Sequence, residues 1–308
     1  MNVDETARAI TDMSIRGAGR IARACASALR DFAENYKGKD ITVFGKDLAK
    51  AVDTLVASRP TAVSLWNGVQ STIKGIDYAK TVDDAKAAII NNAGTFIEKS
   101  ERAVEAIAKI GAKRINDGDT VLTICNSSAA IGTMIEAHRQ GKKIKVFAAE
   151  TRPKRQGLLT VTELSKAGID TTLIVDSAVR SVMKDVDIVM VGADTITAQG
   201  AVVNKIGTSQ VALAAHEARV PFIVCSETYK FSTATLFGDT VVIEERDASE
   251  VAKESEIPKK VKVFNPVFDC TPSKYIDTII TEEGMIHPAA VFGMMMRLYG
   301  PKLFERTE

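Results

Sequence analysis

From about residue 115 the chain changes period. Short apolar runs rich in β-branched residues alternate with stretches of helical spacing. Asp119–Cys125 is followed by Asn126–Gln140, Lys143–Ala149 by Leu158–Lys166, Thr171–Val175 by Ser177–Met183, and Ile188–Val191 by a helix beginning at Thr208. Pro221–Cys225, Thr240–Ile243 and Tyr275–Thr281 read as three further strands, and Pro288–Tyr299 as the last helix. Few folds accept this alternation. Parallel strands need crossovers, the crossovers are right-handed, and strands buried on both faces are apolar throughout. The class is therefore α/β, with a mostly parallel sheet flanked by helices.

Residues 1–114 hold no convincing strand. Their apolar positions, among them Ala24, Leu29, Phe32, Ile90, Phe96, Ile97, Val104 and Ile107, recur at helical spacing. A length of 308 residues fits two domains, so the expected division is a helical domain over 1–114 and a sheet domain over 115–308. Two stretches interrupt the helical pattern: Arg16-Gly17-Ala18-Gly19-Arg20, and Arg59-Pro60-Thr61-Ala62-Val63-Ser64, where the proline holds Arg59 extended. Residues 17–22 match Gly-x-Gly-x-x-Ala, but a dinucleotide site needs a strand before the first glycine, and Asp12–Arg16 is not one. Two readings stay open: backbone N–H groups that reach an anion beside Arg16 or Arg20, or a helix break flanked by solvated arginines.

A net charge of +1 gives no global attraction to nucleic acid or to a membrane surface. No apolar run approaches 18 residues and no signal-peptide core stands at the N-terminus, so a cytoplasmic protein is expected. The four cysteines are scattered and the three histidines lie far apart, so neither a disulfide framework nor a metal site is expected, and no cofactor is.

In open α/β sheets ligands sit beyond the carboxyl ends of the strands. Asp194 ends the Ile188–Val191 strand, and apolar residues behind it favour a carboxyl that keeps its proton. Asn204, Lys205 and the Thr208 helix start follow. Cys125 ends the first strand beside a helix start at Asn126 or Ser127. There a thiolate is stabilised, and the N–H groups of Ser127, Ser128 and Ala129 could bind phosphate. Arg152, Lys154, Arg155 and Gln156 follow the second strand, and Lys230 follows Pro221–Cys225. Each has a bland reading: a loop cap for Asp194, a buried small hydrophobe for Cys125, solvated side chains for the cations. Together they suit proton transfer on a phosphorylated, polyhydroxylated substrate.

Arg16-Gly-Ala-Gly19, Arg59-Pro-Thr-Ala-Val-Ser64, Cys125-Asn-Ser, Glu150-Thr-Arg-Pro, Gly192-Ala-Asp194, Gly200-Ala-Val-Val-Asn204-Lys205-Ile-Gly-Thr208 and Glu227-Thr-Tyr-Lys230-Phe resemble, in order and along nearly the whole chain, one superfamily. It holds the alpha, beta and delta subunits of translation initiation factor 2B together with sugar-phosphate isomerases. Within it the chain is similar to the archaeal ribose-1,5-bisphosphate isomerases. That resemblance implies a helical N-terminal domain on a Rossmann-like domain. It implies conversion of ribose 1,5-bisphosphate to ribulose 1,5-bisphosphate in nucleoside monophosphate degradation, and assembly into dimer-based homo-oligomers, typically hexamers. It further implies a catalytic cysteine at Cys125 and a catalytic aspartate at Asp194. Implied substrate contacts are Arg16, Gly17, Ala18, Gly19, Arg59, Ser127, Ser128, Ala129, Asn204, Lys205 and Lys230, with Gln156 matching a contact of the related methylthioribose-1-phosphate isomerases. Two positions depart from the pattern: Ile124 stands where relatives often have His, and Ser128 where a Lys is frequent. The alternatives are a methylthioribose-1-phosphate isomerase and a regulatory subunit that lacks catalysis.

Overall fold

The computed structural model describes residues 1–300, so the last eight residues of the expected second domain lie outside the described residues. The chain divides into two compact units, Met1–Ala103 and the residues from Val104 onward.

The first unit is helical: α1 (Val3–Thr11), α2 (Ala18–Asn35), α3 (Ile41–Ser58), α4 (Val63–Ile73) and the start of α5 (Val82–Gly111). Its core takes Ile21, Cys25 and Leu29 from α2, Phe44, Leu48 and Leu55 from α3, and Leu65 and Val69 from α4. Within each helix these positions lie four or seven residues apart, the stripe an amphipathic helix buries. Of the two glycines expected to break a helix, only one does. Gly17, at φ 92°, is the N-cap of α2, whereas Gly19 lies inside the helix. The Arg59 stretch joins α3 to α4, and the Ser64 hydroxyl donates to the Ala18 carbonyl at 3.0 Å. The starts of α2 and α4 are thereby tied together.

The second unit alternates strand and helix: β1 (Thr120–Thr123), α6 (Ser128–Arg139), β2 (Lys145–Ala149), α7 (Gly157–Lys166), β3 (Asp170–Ile174), α8 (Val179–Val182), β4 (Ile188–Val191), β5 (Thr195–Ile196), β6 (Val202–Lys205), α9 (Thr208–Ala218), β7 (Phe222–Cys225), β8 (Phe268–Thr271), β9 (Thr278–Thr281), β10 (Gly284–Ile286) and α10 (Val291–Tyr299). The main sheet has the order β10-β9-β7-β4-β1-β2-β3. All its pairings are parallel except that of β10 with β9. Alternate residues serve opposite faces. Leu122, Val189, Val191, Phe222, Val224 and Ile279 pack with α9 and α10 on one side. Val121, Val146, Ile188, Met190, Ile223 and Ile280 pack with α6 and Leu164 of α7 on the other. Burial on both sides explains the absence of polar alternation in these strands.

The α/β class and the alternation hold as expected, and four details differ. Thr240–Ile243 forms no strand: this stretch has no ladder partner, and Val241 and Ile243 pack against Val203, Val267 and Phe268 instead. The strand expected from Tyr275 begins at Thr278, because a 3₁₀ turn over Ser273–Tyr275 follows Pro272. Ser177–Met183 shrinks to the single turn of α8 between two 3₁₀ turns. The loop expected between Asp194 and Asn204 is the β5–β6 hairpin, which with β8 makes a second, three-stranded antiparallel sheet.

Candidate active site

Numbered by their order along the chain, the parallel strands of the main sheet run 3-2-1-4, then β7 and β9. The order reverses between β1 and β4, which pair at Val121↔Ile188 and Leu122↔Val189. The chains that leave these two strands diverge, and the gap between their carboxyl ends is the crevice where such sheets take ligands. Cys125 leaves β1 and Asp194 leaves β4.

Cys125 sits in the left-handed region at φ 70°. Its N–H donates to Thr151 Oγ1 at 2.9 Å, and its carbonyl accepts from Thr160 Oγ1 at 2.6 Å. Thr151 is fixed in turn by its own N–H on Asp176 Oδ1, at 2.8 Å. Thr151 from the loop after β2 and Thr160 from α7 thus clamp the cysteine backbone from both sides, and such a clamp sustains an unfavourable φ in a residue with a Cβ. Ser127 is the N-cap of α6 and accepts from the Ala130 N–H at 3.4 Å; Asn126 reaches Thr160 and Glu163 instead. Ser128 is exposed and Ala129 is buried. Ile124 is buried in the core with Val191 and Ala193, so the position where relatives often have His is apolar ground here.

Asp194 is half-buried, and its N–H donates to the Val203 carbonyl at 3.0 Å. That bond brings the β6 end, Asn204 and Lys205, beside it. Asn204 and Lys205 are buried. The Asn204 side-chain amide donates to Thr208 Oγ1 at 3.0 Å, and Lys205 Nζ lies 4.7 Å from the centre of the Phe268 ring. Lys230, in a 3₁₀ turn after β7, is buried as well.

The charges of Asp194, Lys205 and Lys230 all act on the Cys125 thiol. Burial pushes that thiol up, Lys205 draws it down, Asp194 pushes it up again, and the Asn126 N–H and Lys230 draw it down; the balance lies above the ordinary value. This corrects the expected resting thiolate. The helix start is present, but withdrawal from water outweighs it, so Cys125 rests as a neutral thiol. The basic loop after β2 is corrected too. Arg152 donates to the Val251 carbonyl and Lys154 pairs with Glu250 at 3.0 Å, tying the loop to the 250–251 segment, and Arg155 pairs with Glu150 at 3.3 Å within the loop, so all three cations have protein partners.

Arg16, Gly17, Ala18, Gly19 and Arg59 belong to the first unit. Arg16 and Gly17 are exposed, Ala18 and Gly19 are half-buried in the first turn of α2, and Arg59 is the C-cap of α3. Three residues bearing on the site escaped sequence reasoning. Thr151 and Glu227 lay inside motifs whose other members drew attention. Asp269 of β8 carried no local signal. Its carboxylate accepts from the N–H groups of Gly207 and Ser209 at 2.8 and 3.1 Å and so caps the start of α9. Burial, opposed by those N–H bonds, pushes it up to about 6. Among the described residues no three His, Cys, Asp or Glu side chains converge to hold a metal ion, and no helix is long and apolar enough to cross a membrane.

Gly192 sets the width of the crevice. A Cβ there would lie 2.5 Å from the Ser127 Cβ and overlap its hydroxyl. Gly192→Ala is therefore expected to destabilise the protein by about 1–3 kcal/mol through overpacking. Thermal unfolding measures this, and an unchanged midpoint would show that the two turns separate freely.

A doubly wound sheet whose switch point holds a thiol, a half-buried carboxyl, an amide and two buried ammonium groups defines an α/β protein built to handle a small anionic molecule. The model of the initiation factor 2 subunit family matches residues 14–288, and the chain belongs to that family. It is 51% identical over 305 residues to the ribose 1,5-bisphosphate isomerase of Archaeoglobus fulgidus, covering 99% of this chain and 96% of that one. It is 49% identical over 298 residues to the protein of the same name from Methanocaldococcus jannaschii, covering 97% and 96%. The crystal structure of translation initiation factor eIF-2B from Pyrococcus horikoshii OT3 superposes with a TM-score of 0.80 at 33% identity, over 93% of this chain and 97% of that one.

Proposed function

We propose that this protein is an aldose–ketose isomerase that converts ribose 1,5-bisphosphate to ribulose 1,5-bisphosphate. The observation that carries the reading is a single electrostatic group at the switch point, Cys125 with Asp194, Lys205 and Lys230, in a chain half identical to archaeal isomerases of that activity. Lys205 and Lys230 hold phosphate, helped by the N–H groups of Ser127–Ala129, and Asn204 holds a sugar hydroxyl. The protein works as a dimer-based homo-oligomer of six chains in the cytoplasm.

Phosphate on O1 keeps the sugar closed, so ring opening and loss of the C2 proton must be coupled. In this scheme the Cys125–Asp194 pair shares one exchangeable proton. Its transfer to Asp194 leaves a thiolate under the charges of Lys205 and Lys230. The thiolate takes the C2 proton, the C1=C2 bond forms, the bond from C1 to the ring oxygen breaks, and Asp194 protonates that oxygen. The C2 hydroxyl then returns a proton to Asp194 as the C2 ketone forms, and the Cys125 thiol delivers its proton to C1. Asp194 finally returns its proton to sulfur, so both groups end as they began, and no outside reductant or oxidant is needed.

Purified protein is expected to turn over ribose 1,5-bisphosphate with a kcat/KM at least about 100-fold above that for methylthioribose 1-phosphate, since charge-assisted bonds to the second phosphate are lost with the latter. The reverse preference would make it a methylthioribose-1-phosphate isomerase. Binding to initiation factor 2 with no turnover of either sugar would make it a regulatory subunit.

A further inference from the structure

Glu227 has no part in the proton transfers above, yet it is more deeply buried than any group that does. It is 1% exposed, and Lys230 beside it 6%. Its Oε2 lies 2.7 Å from Lys230 Nζ, and the Tyr229 hydroxyl donates to its Oε1 at 2.9 Å. A carboxylate pressed against a lysine meant for phosphate lowers the charge the site offers. Its presence calls for a compensating role.

We infer that Glu227 is the positioning residue for Lys230, keeping the buried ammonium protonated and aimed into the crevice while substrate is absent. A lysine withdrawn from water loses its proton readily unless an opposite charge lies against it. An ammonium has three N–H donors on freely turning bonds. The ion pair with Glu227 holds the ammonium in place, and its turning N–H donors can then meet a phosphate.

The surroundings make Glu227 the natural holder of this role. The turn is braced: the Lys230 N–H donates to the Glu227 carbonyl at 3.1 Å, the Thr228 N–H and hydroxyl donate to Glu282, and the Tyr299 hydroxyl of α10 donates to the Thr228 carbonyl at 2.9 Å. The titratable groups facing the pair are Cys125 from β1, Cys225 at the end of β7, Tyr229 in the turn, Glu282 between β9 and β10, and Tyr299 behind Glu282. Burial pushes Cys225 up to about 12 and drives Tyr299 and Glu282 upward too. Glu227 goes the other way: burial opposes its ionisation, but the Lys230 charge, the hydrogen bond to that lysine and the Tyr229 hydroxyl overcome it, holding the carboxyl low.

The inference rests on the functional reading above, and kcat/KM for ribose 1,5-bisphosphate against pH tests it. Glu227→Gln keeps the shape and the acceptor for Tyr229 but removes the charge. Its alkaline limb is expected to move to lower pH by about one unit or more. At about pH 8.5 its KM rises about tenfold, while kcat at saturation stays within about threefold because bound phosphate then supplies the missing charge. Glu227→Asp keeps the charge and leaves the limb where wild type has it. Profiles of wild type and E227Q that superpose, or an equal loss of kcat at every pH, would overturn the inference. Should E227Q fail to fold, the E227Q/K230M protein, lacking both charges, regains the fold; if it does not, the pair is not the reason and the inference falls. A wild-type protein without turnover overturns the functional reading alone. The same limb is then read from calorimetric binding of inorganic phosphate.

Discussion

Serine at position 125 is expected to lower kcat for ribose 1,5-bisphosphate by about 10³-fold or more, with KM changed by less than about threefold. The substitution alters almost nothing but the acidity of one atom. The backbone keeps its φ of 70°, its N–H still reaches Thr151 and its carbonyl still accepts from Thr160. A thiol ionises near pH 8.5 in water, and here burial holds it higher while Lys205 and Lys230 pull the other way. An alcohol starts several units further up, so the same two ammonium groups cannot make an alkoxide at neutral pH. Exchange of the C2 proton with deuterated solvent, followed by NMR, isolates the step: it should vanish with kcat while calorimetry still detects binding. Full turnover by C125S would exclude sulfur as the base.

Asn at position 194 is expected to cost between about 10²- and 10⁴-fold in kcat. The side chain keeps its size, and the N–H bond to the Val203 carbonyl, which carries the β6 end into place, is a backbone bond that survives. What disappears is the proton for the ring oxygen and the base for the C2 hydroxyl. Because sulfur and carboxyl exchange a single proton, their losses should not add: C125S/D194N should be little slower than the slower single variant. Additive losses would mean that the two groups serve separate steps with separate proton sources.

How far such predictions could be drawn from the chain alone differs from residue to residue. Ile188–Val191 was legible as a strand because burial on both faces leaves only apolar residues, and the Gly-Ala-Asp that ends it is a local signal. Cys125 and Ser127 were legible for the same reason, since a strand end and a helix cap adjoin within three residues. Thr240–Ile243 misled because alternating apolar residues signal burial, and burial can be met by packing on Val203 and Phe268 without a ladder. The ionisation of Cys125 was misjudged for a related reason. A helix start is written locally, whereas removal from water depends on what closes over the sulfur. Lys230 reads from sequence either as a phosphate anchor or as a solvated cation, and its counter-ion, three residues before it, gains significance only because both are buried.

The amino-acid sequence by itself determined the alternation of strand and helix, the helical character of the first hundred residues, the family, and the residue types that stand at the strand ends. These follow from periodicity and from side chains a few positions apart. Only the tertiary structure decided that β1 and β4 are neighbours at the reversal of strand order, that the β5–β6 hairpin returns Asn204 and Lys205 to Asp194, and that Glu227 shares the dry ground of Lys230. The physical reason is that proximity across a sheet and the local dielectric are set by residues far apart along the chain, so no window of sequence contains them.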